Sequence, residues 1–247
     1  MIAYYAIGGG LGHMTRARRV LDALRIDDAV IVASAKPDPR VTGRYPVVSS
    51  LSALCPEHIL VDAFPLGLFG ELAGLDVPMD YVARLLRWDE YRRCVPGPLP
   101  RFGTMYAVEE ITHSVPCERV VNLECGGHAA APIAPAWPAH STLVVHSGPE
   151  AEVRELIAYA EELQKIENDH SEIVVISQCG IGLDIVPASA LFADAKKIIS
   201  AAGFNVMLET EPYRDKHHVV PMPRRFDDQF ARAARRRYSS SRICAAR

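Results

Sequence analysis

Short β-branched runs alternate with helical patterns along this chain, and that alternation restricts it to a parallel α/β sheet. The first run, Ile2–Ile7, ends in four glycines within five residues: Gly8, Gly9, Gly10 and Gly12. His13 follows, opening the basic helical pattern HMTRARRVLDAL. Further strands are expected at Ala29–Ala33, Pro46–Ser49, Ile59–Asp62 and Met79–Ala83, with TMYAVEEI and RVVNLE supplying two more. The stretches CVPGPLPRFG and GGHAAAPIAPAWPAH carry turn and linker chemistry. A second α/β pattern then begins. STLVVHSG reads as strand into loop, PEAEVRELIAYAEELQKI as an amphipathic helix, EIVVISQ, KKIIS and HHVVP as strands, DDQFARAARRR as a closing helix and YSSSRICAAR as a tail. The expected class is α/β, with two Rossmann-like parallel-sheet domains, 1–139 and 140–247, joined near Ala139 and facing a cleft. The second domain is shortened. Clefts between domains are favoured ligand sites.

Bulk properties exclude several function classes. The 247 residues suffice for one large or two small α/β domains. A net charge of −3 gives no global attraction for nucleic acid. No apolar run approaches the ~18 residues of a membrane span. The start lacks the charged region and apolar run of a signal peptide, so a cytoplasmic location is expected. None of the six cysteines falls in a C-x-x-C pair, which argues against a zinc or redox motif. His217 and His218 are adjacent on an expected strand and face opposite ways, so they do not chelate one metal together.

The glycine loop admits three nucleotide readings. Glycines after a strand permit positive φ and close backbone approach, and the free N–H groups of the following helix favour an anion. A dinucleotide fingerprint needs G-x-G-x-x-G. Gly8 and Gly10 fit it, but His13 holds the third place and IVASAK supplies no ribose-binding acid. A P-loop needs Lys before its Ser or Thr. Thr15 is present without that lysine. The third reading is a sugar-nucleotide enzyme whose loop ends in a catalytic histidine. The plain alternative is a tight turn with a helix-capping histidine.

A second constellation lies in AAGFNVMLETEPYRDKHHVVPMPRRFDDQFARA. Gly203 falls at the carboxyl end of the strand KKIIS. Asn205 and Glu209 are four apart, on one face of a helix. A carboxylate there can hold a ribose diol with two hydrogen bonds. Asp228 and Gln229 open the last helix and can offer an acceptor and a donor to sugar hydroxyls, in the crevice beyond the strand ends. Asp227 or Asp228 also suits the N-cap of that helix.

On these residues the chain resembles GT-B-fold glycosyltransferases, in particular bacterial enzymes acting on lipid-linked or glycolipid acceptors. These include the peptidoglycan N-acetylglucosaminyltransferase and the diacylglycerol glycosyltransferases. It is also similar to nucleotide-sugar glucosyltransferases with a C-terminal signature loop. GGGLGH looks like the family's N-terminal loop, with His13 in the place of its catalytic histidine. GFNVMLE matches its Gly, aromatic, Asn, then Glu pattern, Pro221 falls at the family's spacing, and DDQ resembles its Asp-Gln pair. HSG resembles the loop beside the donor's phosphates. Where the family often has Gly-x-Pro, this chain has Arg214-Asp215-Lys216. The chain is also shorter than a usual two-domain member, which points to a trimmed acceptor domain or a partner.

The resemblance implies an inverting, metal-independent transfer from a nucleotide diphosphate sugar, of UDP or dTDP type. The N-terminal domain would take the acceptor, lipid-linked or small, and the C-terminal domain the donor. His13 would take the acceptor proton, its ordinary pKa of ~6.5 suiting that task. Asp62 would orient His13 or bind the acceptor; a helix N-cap is its plain alternative. Backbone N–H groups at Gly10–Gly12 and around Ser147 and Gly148 would hold the leaving diphosphate, with Arg224 or Arg225 adding charge. Glu209 would grip the ribose, and Asp228 and Gln229 the sugar. No cofactor, metal or nucleic acid is expected.

Three other readings stand beside this one. A sugar-nucleotide epimerase of similar fold would need acid/base carboxylates, for which Asp62 and Glu71 are the only candidates. A non-catalytic sugar-nucleotide-binding subunit would lean on a partner. An NAD oxidoreductase lacks both the third glycine and the ribose acid. The stretch YVARLLRWDEYRRC places Arg84, Arg87, Trp88, Tyr91 and Arg92 at roughly helical spacing. It reads as a peripheral contact with the inner membrane face, or as a partly buried strand and helix with a solvated basic side.

Overall fold

The computed structural model describes residues 1–8, 10–126 and 140–244, with side chains through 237. It separates into two compact units. The first is Met1–Gly126 with Arg224–Asp228, and the second is Gly127–Pro223 with Gln229–Arg247. The junction expected at Ala139 and most of GGHAAAPIAPAWPAH lie outside the described residues.

The first unit is built on seven strands: β1 (Ile2–Tyr5), β2 (Ala29–Val32), β3 (Val47–Val48), β4 (His58–Asp62), β5 (Met79–Ala83), β6 (Phe102–Ala107) and β7 (Cys117–Asn122). They lie in the order β3-β2-β1-β4-β5-β6-β7, every neighbour parallel. Expected strands are present, although Ile2–Ile7 stops at Tyr5 and Pro46–Ser49 keeps two residues. From β1 the chain steps one way to β2 and β3, then crosses back to β4 and continues the other way. Loops at the carboxyl ends of β1 and β4 therefore diverge, leaving the crevice in which open α/β sheets bind ligands.

Period-two alternation sorts the side chains. Ala3, Tyr5, Ile59, Val61, Met79, Tyr81 and Ala83 join one buried cluster on a single face. That face is covered by connections rather than long helices. Leu51, Leu54, Val77, Trp88 and Ile111 all pack onto it. Helix α1 (Leu11–Ala23) instead buries Met14, Ala17, Val20 and Leu21 at helical spacing. Two short helices follow, α2 (Pro39–Thr42), capped by the Asp38 carboxylate, and α3 (Trp88–Cys94).

The second unit has four parallel strands, β8 (Thr142–Val145), β9 (Ile173–Ile176), β10 (Lys197–Ser200) and β11 (His217–Val219), in the order β11-β10-β8-β9. Its helices are α4 (Glu150–Glu167), α5 (Phe204–Glu209) and α6 (Gln229–Cys244). The order again reverses, here between β8 and β10. The supposed tail YSSSRICAAR is a correction, because α6 continues through its serines to Cys244. Among the described residues no helix is long and apolar enough to cross a membrane.

Two buried histidines tie stability to pH. The His113 ring stacks on Trp88 at 4.4 Å, its Nε2 lies 3.0 Å from the Tyr81 hydroxyl, and burial pushes its pKa down to about 4. His217 is lowered to about 3 by burial and by the nearby Arg236 and His218 charges. Both folded values lie below the unfolded ~6.5. Their contribution is therefore full above that pH and is lost as pH falls toward 4 and 3. At pH 4, His113 alone accounts for up to roughly 3 kcal/mol. Thermal melts should hold steady above pH 7 and drop between 6.5 and 4, less steeply in His113→Gln. A flat profile across that window contradicts this account.

Candidate functional site

The sequence-selected residues of the first unit meet where its strand order reverses. β1 runs out at Tyr5, and the loop through Gly8 and Gly10 leads into α1. Gly10 takes φ 77°, a left-handed conformation that glycine adopts without steric cost. It precedes α1 with no side chain capping the helix and no acidic residue in the first turn. The Ser34 hydroxyl holds the loop by donating to the Gly8 carbonyl at 2.8 Å. Gly12 lies in the first turn of α1.

His13, also in that turn, projects toward the end of β4. Its Nδ1 lies 2.8 Å from Asp62 Oδ2. Asp62 is fully buried. Its carboxylate also accepts from Arg16 Nε at 2.7 Å, Arg16 Nη2 at 2.5 Å and the Tyr4 hydroxyl at 3.2 Å. Burial alone would raise the Asp62 pKa, but the Arg16 charge and the hydrogen bonds from His13 and Arg16 hold it well below the usual carboxylate range. Asp62 is thus an ionised acceptor for four donor groups. That arrangement accounts for its place at a strand end without a capping role.

His13 itself is lowered, first by burial and then by the Arg16 and Arg84 charges, against the opposing pull of Asp62. It is therefore neutral near pH 7. Since Asp62 is ionised, the proton between them sits on Nδ1, leaving the Nε2 lone pair on the far edge of the ring. Gly8 packs against that edge. A Cβ on Gly8 would fall 2.5 Å from His13 Nε2, so only glycine fits beside the imidazole.

Beyond β5 the basic stretch turns inward only in part, with Arg87 and Arg93 exposed. Arg84 is buried and pairs with Asp227 at 3.2 Å, and Tyr91 is fully buried. Arg87 Nη1 donates to the carbonyl of Arg224 at 3.2 Å. Asp227 therefore serves an ion pair, and Asp228 is the residue next to α6. Arg224 is half-buried, and the Arg225 guanidinium lies over the Phe226 ring at 4.9 Å.

A cavity of about 670 Å3 lies on the loop-covered face of this unit. Tyr5, Ile7, Leu51, Leu54, Ile59, Leu72 and Val77 give it apolar walls, with Ser49, Ser50, Ser52 and Glu71 as polar points. Ile7, in its wall, directly precedes Gly8. The Glu71 carboxylate is held by the Tyr5 hydroxyl and by the N–H groups of Leu68 and Phe69, at 3.1 and 2.6 Å. A reading that pairs Asp62 with Glu71 as acid and base must contend with both groups being held in this way.

In the second unit the selected residues also flank the strand-order reversal. Ser147 and Gly148 follow β8, and Gly203 follows β10. His146 Nε2 lies 2.7 Å from Glu152 Oε2, and a Cβ on Gly148 would overlap the His146 ring. Glu150 and Glu152 occupy the first turn of α4, so a carboxylate already sits at this helix start. Gly203 differs. Its φ is −69°, and a Cβ there would meet only Val206 Cγ1, at 3.9 Å. The fold makes no demand for glycine at 203. Asn205 and Glu209 open and close one face of α5, both half-buried. Gln229 Oε1 accepts from the N–H groups of Ala202 and Met222, at 3.1 and 3.0 Å, clamping the loops after β10 and β11. Its acceptor atom is thereby engaged inside the unit, while among the described residues its Nε2 has no hydrogen-bond partner. Sequence reasoning missed Arg16, Tyr4 and the cavity.

No family model and no curated protein matches the chain. Solved structures do. A spinosyn rhamnosyltransferase, SpnG, complexed with thymidine diphosphate, superposes with a TM-score of 0.60 at 13% identity, over 98% of this chain and 85% of that one. The Streptomyces sp. SF2575 glycosyltransferase SsfS6 gives 0.54 at 14% identity, over 90% and 82%. The fold is that of the GT-B glycosyltransferases. Two parallel sheets, the second smaller, accord with it. Among the described residues, no group of three or more His, Cys, Asp or Glu side chains is arranged to hold a metal ion.

Proposed function

We propose that the chain is an inverting, metal-independent glycosyltransferase that moves a hexosyl or hexosaminyl group from a nucleoside diphosphate sugar to an acceptor hydroxyl, with His13 as general base. One observation carries this reading. A buried histidine has its Nδ1 hydrogen-bonded to an ionised aspartate, while only a glycine fits beside its Nε2 edge. A base so arranged accepts a hydroxyl proton at neutral pH. Thymidine diphosphate in SpnG, and in a second SsfS6 structure of TM-score 0.51 and 13% identity, supports a thymidine or uridine diphosphate donor. The charge on the leaving diphosphate falls to backbone N–H groups at Gly10–Gly12 and around Ser147 and Gly148, with Arg224. The open space beside Gly203 admits the donor, Glu209 holds its ribose, and Asp228 with Gln229 Nε2 and Asn205 meets the sugar. The 1–139 and 140–247 halves divide acceptor from donor. The apolar cavity next to Ile7 suits an apolar alcohol, small or lipid-linked. The enzyme would act in the cytoplasm, at the inner membrane face where the acceptor is a lipid.

Thermal unfolding with UDP, dTDP, GDP, NAD and ATP, on wild type and Glu209→Ala, tests the donor site. A ligand that binds the folded state alone stabilises it by ~2.7 kcal/mol at a hundred times its Kd. UDP or dTDP should raise the melting temperature of wild type and leave the variant unmoved. A rise with NAD alone defeats the reading. No rise with any ligand favours a subunit that needs a partner.

A further inference from the structure

We propose that Arg16 is a positioning residue for His13: by sharing the Asp62 carboxylate it fixes the ring as the Nδ1–H tautomer and opposes its protonation, so that the Nε2 lone pair stays available. This rests on the reading of His13 as a base. The geometry is specific. Arg16 is 1% exposed and grips Asp62 with two hydrogen bonds, Nε to Oδ1 and Nη2 to Oδ2. Oδ2 is the same oxygen that faces His13 Nδ1. Arg16 Nη2 then lies 3.0 Å from Nδ1. Two donors thus converge on one acceptor, and a permanent cation stands against the imidazole.

Two consequences follow from that placement. First, Asp62 stays ionised because of Arg16, whose own pKa is raised by Asp62 despite its burial. An ionised Oδ2 at 2.8 Å requires the proton on Nδ1, so Nε2 cannot carry it in the neutral ring. Second, the carboxylate is already balanced when His13 gains a proton. An imidazolium here meets Arg16 at close range in a low-dielectric interior, so it forms less readily and discharges its proton again after each turnover. An Asp–His pair without the arginine would do the reverse and hold the proton.

Each neighbouring element adds to this balance. Tyr4 from β1 donates to Asp62 Oδ1. Arg84, beyond β5, lowers His13 and is itself paired with Asp227, which also acts on Arg16. Cys125, after β7, also senses the Arg16 and Asp62 charges, its thiol pushed up to about 11 by burial. Among the described residues the charges acting on the ring are the Arg16 and Arg84 guanidinium groups, which oppose a further positive charge, and the Asp62 carboxylate, which Arg16 already balances.

The test is a pH titration of the His13 ring by NMR on nitrogen-labelled protein, assigned with His13→Gln, in wild type, Arg16→Gln and Arg16→Lys. Wild type should show Nδ1–H and a midpoint below 6.5. Arg16→Gln should raise the midpoint by about one unit or more, and Arg16→Lys, which keeps the charge, should stay closer to wild type. The acidic limb of kcat/KM should move with the ring. A wild-type midpoint at or above 6.5, or an Nε2–H tautomer, overturns the proposal even where Arg16→Gln fails to fold. An unshifted midpoint in a folded Arg16→Gln overturns it as well. The titration needs no transfer activity, so it separates this proposal from the assignment of His13 as base.

Discussion

Replacing His13 by alanine should lower the transfer rate by ~10²–10⁴ while leaving nucleoside diphosphate binding intact, the range expected for loss of a general base. The structure supports reading that loss as chemistry. Without the imidazole, Asp62 keeps the Arg16 fork and the Tyr4 hydroxyl, so no buried charge is abandoned. The rate would be followed as nucleoside diphosphate release at saturating donor, with an apolar alcohol as acceptor. The thermal shift given by the same diphosphate would be followed in parallel. An unchanged rate removes His13 from the chemistry. Equal losses of rate and of diphosphate binding would make it a donor contact instead. Because His13 is held neutral, activity of the wild type should persist below pH 6.5 as far as the fold allows.

Much of this arrangement is legible in the sequence. β-branched runs mark the strands, because a sheet buried on both faces needs apolar residues at successive positions. The glycine loop and Asp62 are visible because each ends such a run, and strand ends at an order reversal are where ligands bind. What the sequence conceals is pairing across distance. In HMTRARRVL the arginines read only as a basic helical pattern, yet Arg16 and Arg19 are buried while Arg18 is half-exposed. A signal was present. Arg16 sits three residues after His13 and four before Val20, on the stripe with Met14, Ala17 and Leu21. A guanidinium on an apolar stripe requires a buried carboxylate, and Asp62 was at hand. Arg84 repeats the lesson. In YVARLLRWDEYRRC it looks like one basic residue among several, but its partner Asp227 lies 143 positions on and was read as a helix cap. The cavity was invisible for another reason. Its lining at Ser49–Pro56 and Glu71–Val77 follows neither a helical nor a strand period. The run of serines in YSSSRICAAR, residues that favour caps and turns, masked the last turns of α6.

Asp62→Ala should destabilise the first unit by ~3–5 kcal/mol, because the change leaves the Arg16 guanidinium buried without its counter-charge. In a unit of this size that corresponds to a melting temperature lower by roughly 10 °C or more. Asp62→Asn retains hydrogen-bond acceptors and should fall between the two. The decisive comparison is a double variant. Arg16→Met together with Asp62→Ala removes both charges, so its loss should be well below the sum of the two single losses, with a coupling of 1–3 kcal/mol, about the range seen for contacting pairs. Strict additivity would mean that the two side chains do not act as a unit, and the account of the buried pair would fail with it. The same result bears on kinetics. A rate measured on Asp62→Ala mixes lost orientation of His13 with a weakened fold, whereas His13→Ala and Arg16→Lys keep a carboxylate facing a cation. Those two variants, compared at a temperature well below the melt of each, separate what the carboxylate does for the imidazole from what it does for the sheet.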